Sequence, residues 1–206
     1  DKLDSLTGLF LSGERASGSK DPYALRRMAL GIIKIIIAEK LDIDLKEFIS
    51  LSANLHKPKT NESIENEILE FIEDRLKAQL KENYATSLIN ASISLKASAN
   101  ILENISRIES LSKISGSETF DGLISLYKRS KNIIKDFAAS NKFDEKLAQT
   151  NSEKDLNLVL QKLSVEIENK IFDKDFDSAF KLLLEFKNPL SRFFDDNLVN
   201  IEDLSI

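Results

Sequence analysis

The chain has 206 residues and a net charge of -5, with 42% hydrophobic and 31% charged residues, no Cys, no Trp and a single His. Such a balance can bury a core, and the lack of Cys excludes disulfides, thiolate metal sites and cysteine nucleophiles. Six Gly and three Pro leave few of the tight turns a sheet-rich fold needs, so the expected class is all-α: helical bundles, antiparallel helices with short loops.

In chain order, Leu3, Leu6, Leu9 and Phe10 recur at helical spacing until Ser12, Gly13 and Gly18 interrupt the pattern. Asp21 and Pro22 then read as an N-cap and first helical residue. Leu25, Met28, Ala29, Ile32 and Ile36 line one face, and Ile33, Ile35 and Ile37 make this helix apolar nearly all round, the mark of a central buried element. Its apolar run, Met28 to Ala38, is broken by Gly31 and Lys34 and reaches about half the length a membrane crossing requires. Leu45, Phe48, Ile49 and Ser52 suggest a shorter helix, and the polar stretch from His56 to Asn61 suggests a boundary.

Ile64, Ile68, Phe71, Ile72, Leu76 and Leu80 predict a long amphipathic helix, followed by helical patterns over Leu88 to Leu95 and Ala97 to Ile114 that Gly116 closes. A helix over Glu118 to Phe137 turns Leu123, Leu126, Tyr127, Ile134 and Phe137 inward. Another over Glu153 to Phe172 carries the stripe Leu156, Val159, Leu160, Leu163, Ile167 and Ile171. Phe176, Phe180, Leu183 and Leu184 mark a last one that Asn188-Pro189 ends. No repeat of fixed period is present, which disfavours a solenoid. The chain opens at Asp1 already in helical pattern, without Met or a leader-like segment, and reads as part of something longer.

Chemistry is constrained by a single histidine. His56 alone supports no two-histidine zinc site and at most one triad, and beside Lys57 and Lys59 it reads as a surface loop residue. No Gly-rich phosphate loop appears. Two cationic groups stand out. Lys20, Arg26 and Arg27 lie in or near the first turns of a helix, where the macrodipole disfavours cations, so they call for acids on a neighbouring helix or for a phosphate. Lys128, Arg129, Lys131 and Lys135 form the second group; 128, 131 and 135 share one helix face, the spacing of a row that tracks a phosphate backbone or of a solvated face. Residues 1–60 and 120–150 each carry +2, against -4 for 61–119 and -5 for 151–206, so any nucleic-acid contact is local.

Several segments resemble the β subunit of the bacterial heterotetrameric glycyl-tRNA synthetase. They are Asp1-Lys2-Leu3-Asp4-Ser5-Leu6 with Gly8-Leu9-Phe10; Ser19-Lys20-Asp21-Pro22 with Ala24-Leu25-Arg26-Arg27; Leu126-Tyr127-Lys128-Arg129 with Asn132-Ile133; and Arg192-Phe193-Phe194-Asp195-Asp196 with Val199. The resemblance implies the end of an HD-type region and connecting helices over 1–58. It implies a helical body over 59–117 and, over 118–206, a DALR-type anticodon-binding bundle like that of arginyl-tRNA synthetases, without its last helix. Asp1 or Asp4 stands where HD-type domains keep a metal-ligand Asp, but the upstream histidines are absent from the chain. Asn197 and Asn200 depart from a more apolar family segment.

The function so implied is tRNA binding without chemistry in this chain: no catalytic residue, metal ligand or cofactor of its own. The companion α subunit would join glycine to tRNA-Gly with ATP, in a cytoplasmic assembly of two α and two β subunits with no membrane contact. Candidate tRNA-binding residues are Lys128, Arg129, Lys131, Asn132 and Lys135, with Lys20, Arg26 and Arg27. The alternative is a structural module that holds the α and β subunits together. An HD-type phosphohydrolase is remote, since it requires histidines from outside the chain.

Overall fold

A computed structural model describes residues 1–56, 62–94, 98–134 and 148–197. The fold is all-α. Ten helices lie among the described residues: α1 (Lys2–Leu11), α2 (Leu25–Ala38), α3 (Leu45–His56), α4 (Glu62–Leu80), α5 (Thr86–Ser92), α6 (Ile101–Ile114), α7 (Glu118–Ile134), α8 (Asn151–Phe172), α9 (Phe176–Leu184) and α10 (Lys187–Asp196). Among the described residues no helix is long and apolar enough to cross a membrane.

The chain divides into two compact units, Asp1–Ser112 and Lys113–Ile206. In the first, α1 packs on α2 and α3, and α4 packs on all three. Residues 57–61, in the polar stretch read as a boundary, lie outside the described residues. The core contains Leu6 and Phe10 of α1, Ile32, Ile33 and Ile36 of α2, Leu45 and Ile49 of α3, Ile68, Ile72 and Leu76 of α4, and Ile89, Ile101 and Ile108 further on. Phe10 meets Phe71 edge-on, with ring centroids 5.2 Å apart. Asn104, fully buried, closes the α5–α6 connection: its amide donates to the Ser98 and Asn100 carbonyls and its oxygen accepts from the Ser94 N–H.

Local chemistry shifts several expected elements. α2 starts at Leu25, not at Pro22. Asp21 to Ala24 form a turn closed by Ala24 N–H to the Asp21 carbonyl, with Pro22 inside it and Ala24 at φ 55°. The Asp21 carboxylate still caps, from further back, accepting the N–H groups of Leu25 at 2.7 Å and Arg26 at 3.1 Å. α2 buries one side only, leaving Ile35 exposed, and Phe48 of α3 also faces out. His56 is the last residue of α3, not a loop residue. Its Nε2 lies 3.0 Å from Asp4 Oδ1, which also accepts the Ser52 hydroxyl at 2.7 Å. A Cβ at Gly8 would come within 3.0 Å of the imidazole, so a glycine lets α1 pass under this ring.

In the second unit α8 packs on α9 and α10, and α10 and α9 on α7. Thr150 and Glu153 form a reciprocal capping box at the start of α8. Asn197 ties the end of α10 back to it, its oxygen accepting from the Thr150 hydroxyl at 2.9 Å and its amide donating to the Ser152 hydroxyl at 3.0 Å. Pro189 sits in the first turn of α10 instead of ending the preceding helix, because a missing N–H costs nothing there. The core is thin: among the described residues it buries Leu123, Leu163, Phe176, Ala179 and Phe194. Tyr127 and Ile134 of α7, expected inward, are 57% and 56% exposed, and Leu160 and Ile171 of the α8 stripe also reach solvent.

Candidate nucleic-acid interface

In α7, Leu123 is buried and Leu126, Ser130 and Ile133 are half-buried, while Tyr127, Lys128, Lys131 and Asn132 are exposed. Positions three and four apart are neighbours on a helix, so Tyr127 stands beside Lys131, and Lys128 beside both Lys131 and Asn132. Neither lysine has an acidic partner within ion-pair distance among the described residues. Lys135 lies outside those residues. Arg129 is turned differently: its guanidinium stacks over the Phe194 ring, 4.2 Å from the centroid, and Phe194 meets Phe193 edge-on. On the same side the Lys187 stem crosses Gly122, where a Cβ would fall 2.7 Å from Lys187 Cε. Arg129 and Lys187 thus hold α10 against α7, and the two lysines are left facing water.

The other predicted cations lie in the first unit. Arg26 Nη2 donates to the Gly18 carbonyl at 2.7 Å, and Lys20 exchanges both backbone hydrogen bonds with Ser17, so Arg26 clamps the loop from which exposed Lys20 projects. Arg27 lines a cavity of about 290 Å³ with Lys2 and Ser5. The acids available go elsewhere: Glu67 takes Arg15 in a two-pronged pair at 2.6 Å, and Arg15 also lies over Phe10. Arg75 covers Phe71 at 3.7 Å. Burial holds the Arg75 guanidinium below its ordinary range, and the nearby Arg26 charge adds to this, while Asp74 and Asp21 oppose it.

Sequence reasoning missed three side chains: Arg75, Lys187 and Tyr127. Lys187 acts through Gly122, distant in sequence, which periodicity does not report, and Arg75 through the Phe71 ring one turn back. Tyr127 fell into the inward class because an aromatic at i+4 from Leu123 fits either flank of an apolar stripe. A cleft of about 410 Å³ lies between α8 and α10, with Leu158, Val159 and Pro189 as walls and Asp155, Asn188 and Arg192 at its polar parts.

Among the described residues, the carboxyls of Asp4, Glu153 and Asp175 are held below their usual range. Asp4 is lowered by the Ser52 hydrogen bond first and then by His56. Glu153 is lowered by the Thr150 N–H, and Asp175, which caps α9, by Ser178. Asp4, one of the two candidates with Asp1 for the HD-type position in the resemblance, is thus committed to Ser52 and His56. No group of three His, Asp or Glu side chains suited to a metal occurs among the described residues.

Residues 1–94 match the family model described as glycyl-tRNA synthetase beta subunit. Over all 206 residues the chain is 42% identical to the glycine-tRNA ligase beta subunit of Rickettsia canadensis strain McKiel, of which it covers 31%. It is 41% identical to that of Rickettsia peacockii strain Rustic, of which it covers 30%. The chain therefore spans about a third of the length of the curated relatives it matches.

Proposed function

We propose that this chain is part of a glycine-tRNA ligase beta subunit and that its second unit contacts tRNA-Gly through the outer face of α7. Identity of about two residues in five, carried across all 206 positions, supports the family. The observation that carries the tRNA reading is the pair Lys128 and Lys131, exposed and without acidic partners among the described residues, beside exposed Tyr127 and Asn132. Lysine ammonium groups bind phosphates and set register. A tyrosine ring stacks on an unstacked base, and an Asn amide, donor and acceptor in one plane, reads a base edge. Lys135 extends the row, Arg129 fixes α7 to α10, and Lys20 and Arg27 offer further phosphate contacts on the first unit, with Arg26 holding their loop.

In this reading residues 118–206 form the DALR-type anticodon-binding bundle, 59–117 the helical body and 1–58 the end of the HD-type region. The chain contributes binding. The chemistry, joining glycine to tRNA-Gly with ATP, belongs to the companion alpha subunit in a cytoplasmic assembly of two alpha and two beta subunits. We assign no catalytic residue, metal or cofactor to these 206 residues.

The test is a titration of the chain with tRNA-Gly and with an anticodon-substituted tRNA-Gly at two salt concentrations. Binding should weaken with salt and with the substituted anticodon. Lys128→Glu with Lys131→Glu should weaken it about tenfold or more and lower the log-log salt slope by about 2, one per lost phosphate contact. Unchanged affinity in that variant removes α7 from the interface.

A further inference from the structure

The first unit carries a surface opposite in character to α7. On α3, Phe48, Leu51 and Leu55 are 45%, 63% and 84% exposed and recur at i, i+3 and i+7, so they form one outward apolar row. An adjoining face of the helix, Leu45, Ile49 and Ala53, is buried in the core. Beside the row, between α3 and the start of α4, lies a cavity of about 540 Å³ lined by Leu51 together with Asp44, Glu47 and Glu65. Glu65 is only 9% exposed, yet its carboxylate has no hydrogen bond or ion pair to any described residue. It is the most buried of the three acids that line the cavity, Asp44 and Glu47 being exposed. The one cation lining the cavity, Lys46, is drawn to Glu62 at 3.7 Å.

From this geometry we infer that the α3 face is a docking site for a basic amphipathic helix of the companion subunit. The occupant places two or three apolar side chains, spaced one turn apart, along Phe48, Leu51 and Leu55. It sends a Lys or Arg from its flank into the cavity, where Glu65 and Glu47 receive the cation. Charge complementarity selects this occupant: the acidic rim repels nucleic acid, and the row offers apolar contacts that no free cation needs. A helix with acidic flanks would face like charges here. The inference rests on the reading of the chain as part of a beta subunit, and it adds which face meets the other subunit and by what chemistry.

The experiment uses the full beta subunit that contains this chain, mixed with its alpha subunit, and measures the assembly Kd by sedimentation. Two variants are compared with wild type, Leu55→Asp and Glu65→Gln, with helicity by circular dichroism and tRNA-Gly binding as controls. Leu55→Asp should raise the Kd at least tenfold, and Glu65→Gln should raise it several-fold and flatten its salt dependence, with helicity and tRNA binding unchanged. A Leu55→Cys variant should react with a maleimide in the free beta subunit and be protected in the complex. Kd values within twofold of wild type overturn the inference. So does a cysteine already protected in the free beta subunit, which means the rest of the same chain covers the row, and so does loss of a beta-beta contact instead of an alpha-beta one. If wild-type beta and alpha subunits do not assemble at all, the underlying reading fails, and the inference with it.

Discussion

The two units solve the same folding problem with different reserves. The first buries Leu6, Phe10, Ile33, Ile49, Ile68 and Ile72 almost completely and joins its helices by side-chain pairs, Arg15 with Glu67 and His56 with Asp4. The second rests on a few buried apolar side chains, stitches its helix ends with capping hydrogen bonds, and leaves Lys128 and Lys131 to solvent. The contrast is that of a densely packed unit with a lightly packed one, and the proposed tRNA contact falls on the second.

The largest effect that sharpens this contrast comes from the cores. Ile72→Ala should cost about 2–5 kcal/mol, toward the upper end because surrounding helices cannot close the cavity, and Leu163→Ala should fall at the lower end because a thin core relaxes around it. Urea titrations followed by residue-resolved amide exchange read each unit separately; equal costs would erase the difference in packing. Next, Thr150→Ala removes the hydroxyl half of the capping box, keeping the backbone N–H that Glu153 accepts, and should cost the second unit about 1 kcal/mol with exchange protection in the first unit unchanged.

Acid acts on both units with the same sign. Asp4, Glu153 and Asp175 ionise more readily in the folded chain than in the unfolded one. Their contribution is therefore complete above the unfolded carboxyl pKa of about 4 and is lost as pH falls through the lower folded values. Melting temperatures should be flat from pH 7 to about 5 on account of these groups and fall below about 4; a Glu153→Gln variant should show a shallower fall. The smallest effect is at Gly8. Gly8→Ala should change stability by less than about 1 kcal/mol, since alanine favours the helix while its Cβ pushes against the His56 imidazole. The His56 ring resonances should nevertheless move as the ring leaves Asp4.

Helix existence was legible in the sequence because apolar spacing reports which residues a helix can bury together. Helix ends and flanks were less so. Asp21-Pro22 carries a start signal, yet the turn to Ala24 delays the helix by three residues while the same carboxylate still caps it. Pro189 reads as a stop and serves as a start. Phe48, Tyr127 and Ile134 sit at the edges of their stripes, where burial depends on which helix packs alongside, and spacing holds no information on that. The basic row of α7 was visible as composition; that Arg129 leaves the row to stack on Phe194 is a tertiary fact. So is the burial of Glu65, which in sequence is one more acid on a Glu-rich helix.

The central claim is that the cations of α7 meet the tRNA backbone. Lysine acetylation footprinting by mass spectrometry, with and without tRNA-Gly, tests it most directly. Lys128 and Lys131 should lose reactivity when tRNA is bound, while Lys34 and Lys40, exposed on the first unit, should keep theirs. Equal reactivity of Lys128 and Lys131 in the two states would contradict the account.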